Sequence, residues 1–305
     1  MSKELIDKII FKLKKNQPFS VIVEELDLNT EEKMYVMNLL LNKGYTNLKE
    51  KNLFDNQNQE ASHYFINTKS KTFKLCLLSD THLGSKFDQI SSLETIYNKG
   101  EKIGVDYYLH AGDFFEGFIN NSHEFKRSLR HQTVDQQIEY AYNNYPHSSK
   151  PTLIINGNHE EETRRKTQVD MLEELTKLRN DIIYLNNTKS NIQMGKLRIM
   201  MMHTNTTNRS MKEKIIKKDI DKYPLNATPK IVITGHTHNR SYTLYKGTHI
   251  FQVPSLMSCR DPKLYTNGPE ENGVWWLDIS ISCKGNIERI IQEPETIHYQ
   301  YKKTK

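Results

Sequence analysis

The sequence predicts an α/β protein preceded by a small helical unit. Three observations lead there. From residue 73 onward, short apolar runs alternate with stretches of helical period, the texture of strands joined by helices. Five of those runs end in a group rich in Asp, Asn, His and Gly. In α/β sheets, ligands collect outside the carboxyl ends of the strands. Residues 1–66 carry no such group and read as short helices followed by a weakly alternating stretch.

The elements follow in chain order. Residues 2–15 place Leu5, Ile6, Ile9, Ile10 and Leu13 on one helical face, and Pro18 ends the run. A second helix fits 20–26. Asn29 with Glu32 three residues on is a capping pattern for a third, 30–43, stopped by Gly44. Residues 45–66 alternate as a small hairpin. Three helices and a hairpin make a winged helix-turn-helix, so the expected organisation is a domain at 1–66, a linker at 67–72 and an α/β domain at 73–305. In the latter, strands are expected at 73–78, 105–109, 152–155, 182–185, 197–202 and 231–233. Helices are expected at 91–103, 125–144, 169–178 and 211–221. Strands at 242–245, 249–253, 274–279 and 287–291 complete the chain.

Composition bounds the class. The chain has 305 residues, 36% hydrophobic and 26% charged, enough apolar content for a core and too much for a disordered chain. No run of about 18 apolar residues offers a membrane span, and the start mixes charges into its apolar pattern, unlike a secretory signal. Cys76, Cys259 and Cys283 are odd in number and form no C-x-x-C, which fits a reducing cytoplasm and argues against a cysteine zinc site. The formal charge is +6. Residues 1–60 hold nine Lys, no Arg and ten acidic residues, so the surplus positive charge belongs to the α/β part.

The chemistry sits at the strand ends. They read Ser79-Asp80-Thr81-His82, Gly112-Asp113, Gly157-Asn158-His159-Glu160, Met202-His203 and Gly235-His236-Thr237-His238. One histidine at a strand end is ordinarily a structural residue. Five such edges meeting at one rim would supply carboxylate, amide and imidazole donors without thiolate, a set that suits Mn, Fe or Zn better than Mg or Ca. His110 and His249 sit within strands and read as packing residues. His123 and His131 border the helix after Asp113 and are candidates for the rim of the cleft.

The order D-x-H, G-D, G-N-H-E, H, G-H-T-H resembles the calcineurin-like metallophosphoesterases, over roughly residues 73–291. The resemblance implies a four-layer αββα sandwich and a hydrolase with two divalent ions, Mn2+ first, with Fe, Zn or Ni as alternatives. It implies one ion held by Asp80, His82, Asp113 and His238, and a second by Asp113, Asn158, His203 and His236, with Asp113 bridging. It makes His159 the group that contacts the phosphate and protonates the leaving oxygen. Two ions about 3.5–4 Å apart clamp a phosphoryl group and activate water.

The metal core does not select a substrate. Gly112-Asp113-Phe114-Phe115-Glu116-Gly117 lacks the Arg-Gly of protein phosphatases. It is similar instead to repair exonucleases and the proofreading subunit of archaeal DNA polymerase D, although those nucleases carry Asp where this chain has Glu160. Phage and microbial DNA-repair exonuclease-like phosphoesterases with an N-terminal winged helix resemble the chain over a longer stretch. The implied function is a DNA nuclease of the repair or recombination type. Alternatives are a phosphodiesterase or phosphatase on nucleotides or cyclic nucleotides, and a non-catalytic scaffold. Arg127, Arg130, His131, Arg164 and Arg260 lie near the motifs as candidate substrate contacts, as guanidinium groups grip phosphates. Arg165, Arg240 and the Lys-rich 212–222 helix add to that positive field. The acidic N-terminal domain is expected to contact DNA or protein, and the resemblance implies a homodimer.

Overall fold

The computed structural model describes residues 3–14, 22, 25, 26, 61–118, 122–258 and 272–297. The chain divides into two compact units, Met1–Glu60 and Ala61–Lys305. In the first, α1 (Lys3–Lys14) follows the predicted amphipathic run, with Ile9 fully buried and Lys12 paired with Glu25. The helix expected at 30–43 lies outside the described residues, as do the hairpin's residues before 61 and all of the helix at 20–26 except three residues.

The second unit holds two six-stranded sheets. In chain order its elements are β1 (Ser62–Ile66), β2 (Thr72–Leu78), α2 (Ile90–Ile103), β3 (Tyr107–His110), α3 (His123–Ser128), α4 (Val134–Asn144) and β4 (Thr152–Ile154). Next come α5 (Asn158–Thr167), α6 (Met171–Leu178), β5 (Ile182–Tyr184), β6 (Lys189–Met194), β7 (Leu197–Met202), α7 (Arg209–Ile220) and β8 (Ile231–Thr234). The last are β9 (Ser241–Tyr245), β10 (Thr248–Gln252), β11 (Gly273–Ile281) and β12 (Ile287–Thr296). One sheet runs β1-β6-β7-β8-β10-β9 and the other β12-β11-β2-β3-β4-β5. Strands β2 to β5 are mutually parallel. So are β7, β8 and β10, which turns the ends of β2, β3, β4, β7 and β8 into candidate ligand rims.

Alternation along the strands builds four layers. Leu75 and Leu77 of β2, Leu109 of β3 and Trp275, Leu277 and Ile279 of β11 face Ile199 and Met201 of β7, Ile231 and Ile233 of β8 and Phe251 of β10. The residues between them point the other way. Cys76, Leu78, Tyr108, Ile154 and Trp276 meet Leu93 and Ile96 of α2, Ile138 of α4 and Leu172 and Leu175 of α6. On the far side Met200, Met202, Val232 and Ile250 meet Ile216 and Ile220 of α7. Each buried Leu or Ile contributes about 1.5–3 kcal/mol, so the order helix, sheet, sheet, helix is fixed by apolar burial.

Several elements differ from the sequence reading. Residues 62–66 belong to the second unit: β1 pairs in parallel with β6, Ser62 opposite Ser190 and Ile66 opposite Met194. Tyr64 and Ile66 alternate onto the core between the sheets, a larger apolar surface than a hairpin offers. The helix expected at 125–144 is two helices, because Leu129 bridges back to Ser85 and Thr133 starts α4 with a reciprocal cap to Gln136. Helix α5 and strand β6 are additions; α5 carries no apolar stripe and β6 alternates through polar residues, so periodicity misses both. Strand β12 runs through Pro294, which an edge strand tolerates.

His110, inside β3, is fully buried, as its place in a strand suggested. The Thr81 hydroxyl donates to the Phe114 carbonyl, so His110 Nε2 donates to Thr81 Oγ1 at 3.1 Å. Burial holds this ring neutral, its pKa pushed down to about 3. An unfolded His titrates near 6.5, so the unfolded state binds the extra proton between these values. Stability is therefore lost as pH falls through that window, by about 1.4 kcal/mol per unit for this one group. In metal-free protein, His110→Gln, which keeps a donor for Thr81, is expected to flatten the pH dependence of urea denaturation below pH 6 by that slope.

Candidate metal centre

The five strand ends meet. After β2 the chain turns through Asp80 and His82, and after β3 through Asp113. The Asp80 N–H donates to the Gly112 carbonyl at 3.0 Å and the His82 N–H to the Asp113 carbonyl at 3.1 Å, which zips the two loops together. The N–H of His236, after β8, donates to the Asp80 carboxylate at 3.0 Å. The His159 N–H, in the first turn of α5, donates to Asp113 Oδ1 at 3.0 Å. A helix N-terminus favours a nearby carboxylate. The carbonyl of Asp80 in turn accepts from Ser255 Oγ at 2.9 Å and Leu256 N at 3.1 Å, which brings in the end of β10.

Backbone strain concentrates here. Eight described non-glycine residues have positive φ, and five are Asp80 (53°), His82 (47°), Asp113 (52°), His236 (86°) and His238 (56°). Each costs on the order of 1–3 kcal/mol and persists only where its surroundings over-determine it. Two glycines make the crowding feasible. A Cβ on Gly157 would collide with the Asp113 carboxylate, and one on Gly235 would lie 2.7 Å from the Ala111 carbonyl and 2.8 Å from Asp80 Oδ2.

The donor atoms form two clusters joined at Asp113. In the first, His238 Nε2 lies 3.3 Å from Asp80 Oδ1, and His82 Nε2 lies 3.4 Å from His238 Nε2 and 4.0 Å from both Asp80 Oδ1 and Asp113 Oδ2. In the second, His203 Nε2 is 3.2 Å from Asp113 Oδ2 and 3.1 Å from Asn158 Oδ1, and His236 Nδ1 is 2.8 Å from Asn158 Oδ1. Ligand atoms of Asp80, His82 and His238 all lie within 4.8 Å of one another, as do those of Asp113, His203 and His236, and those of His82, Asp113 and His159.

Hydrogen bonds behind the rings fix which nitrogens face inward. His203 Nδ1 donates to the Ala111 carbonyl at 2.7 Å and His159 Nδ1 to the Glu116 carbonyl at 2.7 Å. His82 Nδ1 lies 3.0 Å from Glu116 Oε2. In neutral His203 and His159 each Nε2 then carries a lone pair toward the cluster. The Nε2 lone pair of His203 faces two oxygens, so a cation must stand between them. With no metal, that cation is a proton. Burial alone would lower the His203 pKa, but the Asp113 carboxylate outweighs it and raises it to about 9. Asp80 and Asp113 are held well below the usual carboxylate range, despite burial, chiefly by His238 and His203 respectively. Ionised carboxylates, lone pairs aimed inward and carboxylate or carbonyl partners behind the rings are the donor chemistry of a divalent cation.

Three buried polar residues beyond the sequence-derived set hold this arrangement. Glu116 stands behind His82 and, through its carbonyl, behind His159. Its signal was an acid enclosed by Phe114, Phe115 and Gly117 three residues after Asp113. Glu160 accepts from the N–H groups of Phe115 and Gly157, both at 2.7 Å, tying the α5 turn to the Asp113 loop. Burial and the Asp113 carboxylate push its pKa up to about 7, against those two bonds. Glu160→Ala leaves both buried donors unpaired and is expected to destabilise the fold by roughly 2–4 kcal/mol in urea denaturation. Glu160→Gln, with one acceptor oxygen, is expected to lose about half as much. The third residue, Lys212, is 1% exposed, contrary to its place in a Lys-rich helix.

The candidate substrate contacts fare differently. Arg130 pairs with Asp88 at 3.2 Å, and His131 packs on Tyr140 with ring centroids 4.4 Å apart. Arg164 pairs with Glu161 at 2.9 Å, Arg165 with Glu162 at 3.1 Å and Lys217 with Glu213 at 2.5 Å. Arg240 donates to the Glu295 carbonyl at 2.6 Å, tying the start of β9 to β12. Arg127 is exposed on α3, and Arg260 lies outside the described residues. Phe114 and Phe115, beside Asp113, are fully buried. Among the described residues no helix is long and apolar enough to cross a membrane.

No curated protein sequence matches the chain. Among solved structures, a novel archaeal phosphodiesterase is 16% identical over 73% of this chain and 100% of its own, with a TM-score of 0.42. The phosphoesterase Yfce from E. coli is 14% identical over 72% and 98%, with a TM-score of 0.35. Zinc-bound Vps29 from Entamoeba histolytica is 12% identical over 73% and 99%, with a TM-score of 0.33. Residues 73–267 match the calcineurin-like phosphoesterase superfamily domain, a span that contains all five strand-end groups. The chain therefore belongs to the calcineurin-like phosphoesterase superfamily, metal-dependent hydrolases of phosphoric esters.

Proposed function

We propose that the protein is a two-metal phosphodiesterase. The observation that carries this reading is Asp113: its carboxylate faces His203 at 3.2 Å and His82 at 4.0 Å, one from each cluster. Asp80, His82, Asp113 and His238 would hold one divalent ion, and Asp113, Asn158, His203 and His236 the other, with Mn2+ the favoured metal. When bound, the ions supply Lewis-acid charge for a phosphoryl group and lower the pKa of a water.

The chain's own side chains do the rest. Two divalent ions would outweigh the carboxylates of Asp80, Asp113 and the neighbouring Glu116, so the occupied site would be net positive and would attract a phosphoester. Glu116 orients His82 and His159 together. His159 Nδ1 is committed to the Glu116 carbonyl, so a proton given to the leaving oxygen would depart from Nε2 of the doubly protonated ring, leaving the neutral ring with its Nε2 lone pair.

Nucleic acid, in first place DNA, is the substrate the motifs favour, and it is what an N-terminal winged helix would serve. A second reading rests on the ion pairs. Arg130, Arg164 and Arg165 are already matched by carboxylates, which favours a phosphodiesterase or phosphatase acting on a small phosphoester, a nucleotide or cyclic nucleotide, over one acting on a long polyanion. Incubation of the full chain with Mn2+ and labelled single- and double-stranded DNA, beside a panel of mononucleotides and cyclic nucleotides, separates them. Cleavage of DNA supports the first. Turnover of the small substrates with intact DNA supports the second. No turnover of any phosphoester rejects the phosphodiesterase itself.

A further inference from the structure

We infer that Lys212 is a positioning residue for the metal centre, setting through Gly235 and Thr237 where His236 and His238 present their nitrogens. The inference rests on the two-metal reading above. Lys212 lies in the first turns of α7, the helix that follows His203 in the chain. Its Nζ donates to the Gly235 carbonyl at 2.6 Å and to Thr237 Oγ1 at 3.2 Å. These residues alternate with His236 and His238, so one ammonium grips the loop on both sides of His236.

The physical case has three parts. Packing does not need an amine there: Ile216 and Ile220, on the same helix, already bury against Met200, Met202 and Val232. A buried ammonium has a desolvation cost of several kcal/mol, which its bonds must offset. Its neighbours Lys214 and Lys218 remain exposed, so burial is particular to this position. The gripped loop is also strained, with His236 and His238 both in left-handed backbone, and such conformations relax unless held. Lys212 and the Asp80 carboxylate hold it from opposite sides, and Gln252 adds a third tie at Thr237. By sharing Thr237 Oγ1, Lys212 couples α7 to the end of β10 as well. Desolvation lowers the Lys212 pKa to about 7, against the pull of Asp80, as expected of an amine so enclosed.

The test compares full-length wild type with Lys212→Met, which keeps length and apolar volume but donates nothing. Mn2+ affinity is measured by calorimetry, and the ligand field of bound Co2+ by its visible absorption. The expected result is a Kd for Mn2+ about 10–100-fold weaker, the usual effect of losing a residue that orients a metal ligand. An altered Co2+ band should accompany it, in a protein whose far-UV circular dichroism is unchanged. A folded Lys212→Met with wild-type Kd and Co2+ band overturns the inference. Should that variant fail to fold, Lys212→Arg is read the same way. It keeps a cation but is longer and planar, so it cannot place one nitrogen against both acceptors as the ammonium does, and a wild-type Kd there overturns the inference too. Wild type that binds no Mn2+ overturns the two-metal reading and this inference with it. Wild type that binds Mn2+, beside a variant that binds it equally, overturns this inference alone.

Discussion

Asp113→Asn is expected to lower kcat/KM for a phosphodiester by about 10²–10³-fold, the scale of removing one preorganised electrostatic group from a reacting site. The asparagine keeps an acceptor for the His159 N–H, so the fold at the start of α5 is preserved. What it removes is the charge both clusters share. The carboxylate raises the pKa of His203 and lies within 4.0 Å of His82 Nε2, so its neutralisation weakens both halves of the centre. Metal content should fall with activity. Calorimetric titration with Mn2+ and steady-state rates on bis(p-nitrophenyl) phosphate check the two together. An Asn variant that keeps both metals and full rate would remove Asp113 from the bridging role.

His159→Gln is expected to lower kcat by about 10²–10⁴-fold on a dinucleotide, the usual effect of losing a positioned general acid. The effect should depend on the leaving group. A p-nitrophenolate departs without a proton, whereas a sugar alkoxide does not. The loss on bis(p-nitrophenyl) phosphate should therefore be much smaller than on the dinucleotide, with Mn2+ affinity within a few-fold of wild type. Equal losses on both substrates would assign His159 to phosphate binding rather than proton donation.

The candidate site was more legible than the fold that carries it. Strand-end donors announce themselves only as a set: one Asp, Asn or His beside glycine is an ordinary turn residue, but five such groups after five apolar runs are not. Asp80, His82, Asp113, Asn158, His203, His236 and His238 are all brought together. What surrounds them was not legible. The burial of Lys212 depends on a contact with Gly235, 23 positions away, that no local pattern encodes. The role of Glu116 follows from two histidines that approach it only in the folded sheet. Charge density overstates the positive field for a related reason: Arg164, Arg165 and Lys217 are spaced three or four residues from Glu161, Glu162 and Glu213 and pair with them along α5 and α7. The edge strand β1 was misplaced because five half-buried residues look the same beside either sheet until the partner β6 is known.

Two metals that share Asp113 would be visible in crystals of the wild type grown with Mn2+ and measured at the manganese absorption edge. Two anomalous peaks about 3.5–4 Å apart are expected. One would lie among Asp80, His82 and His238, the other among Asn158, His203 and His236, with an Asp113 oxygen within ligand distance of both. A single peak, or two peaks with Asp113 bound to only one, would contradict a shared Asp113.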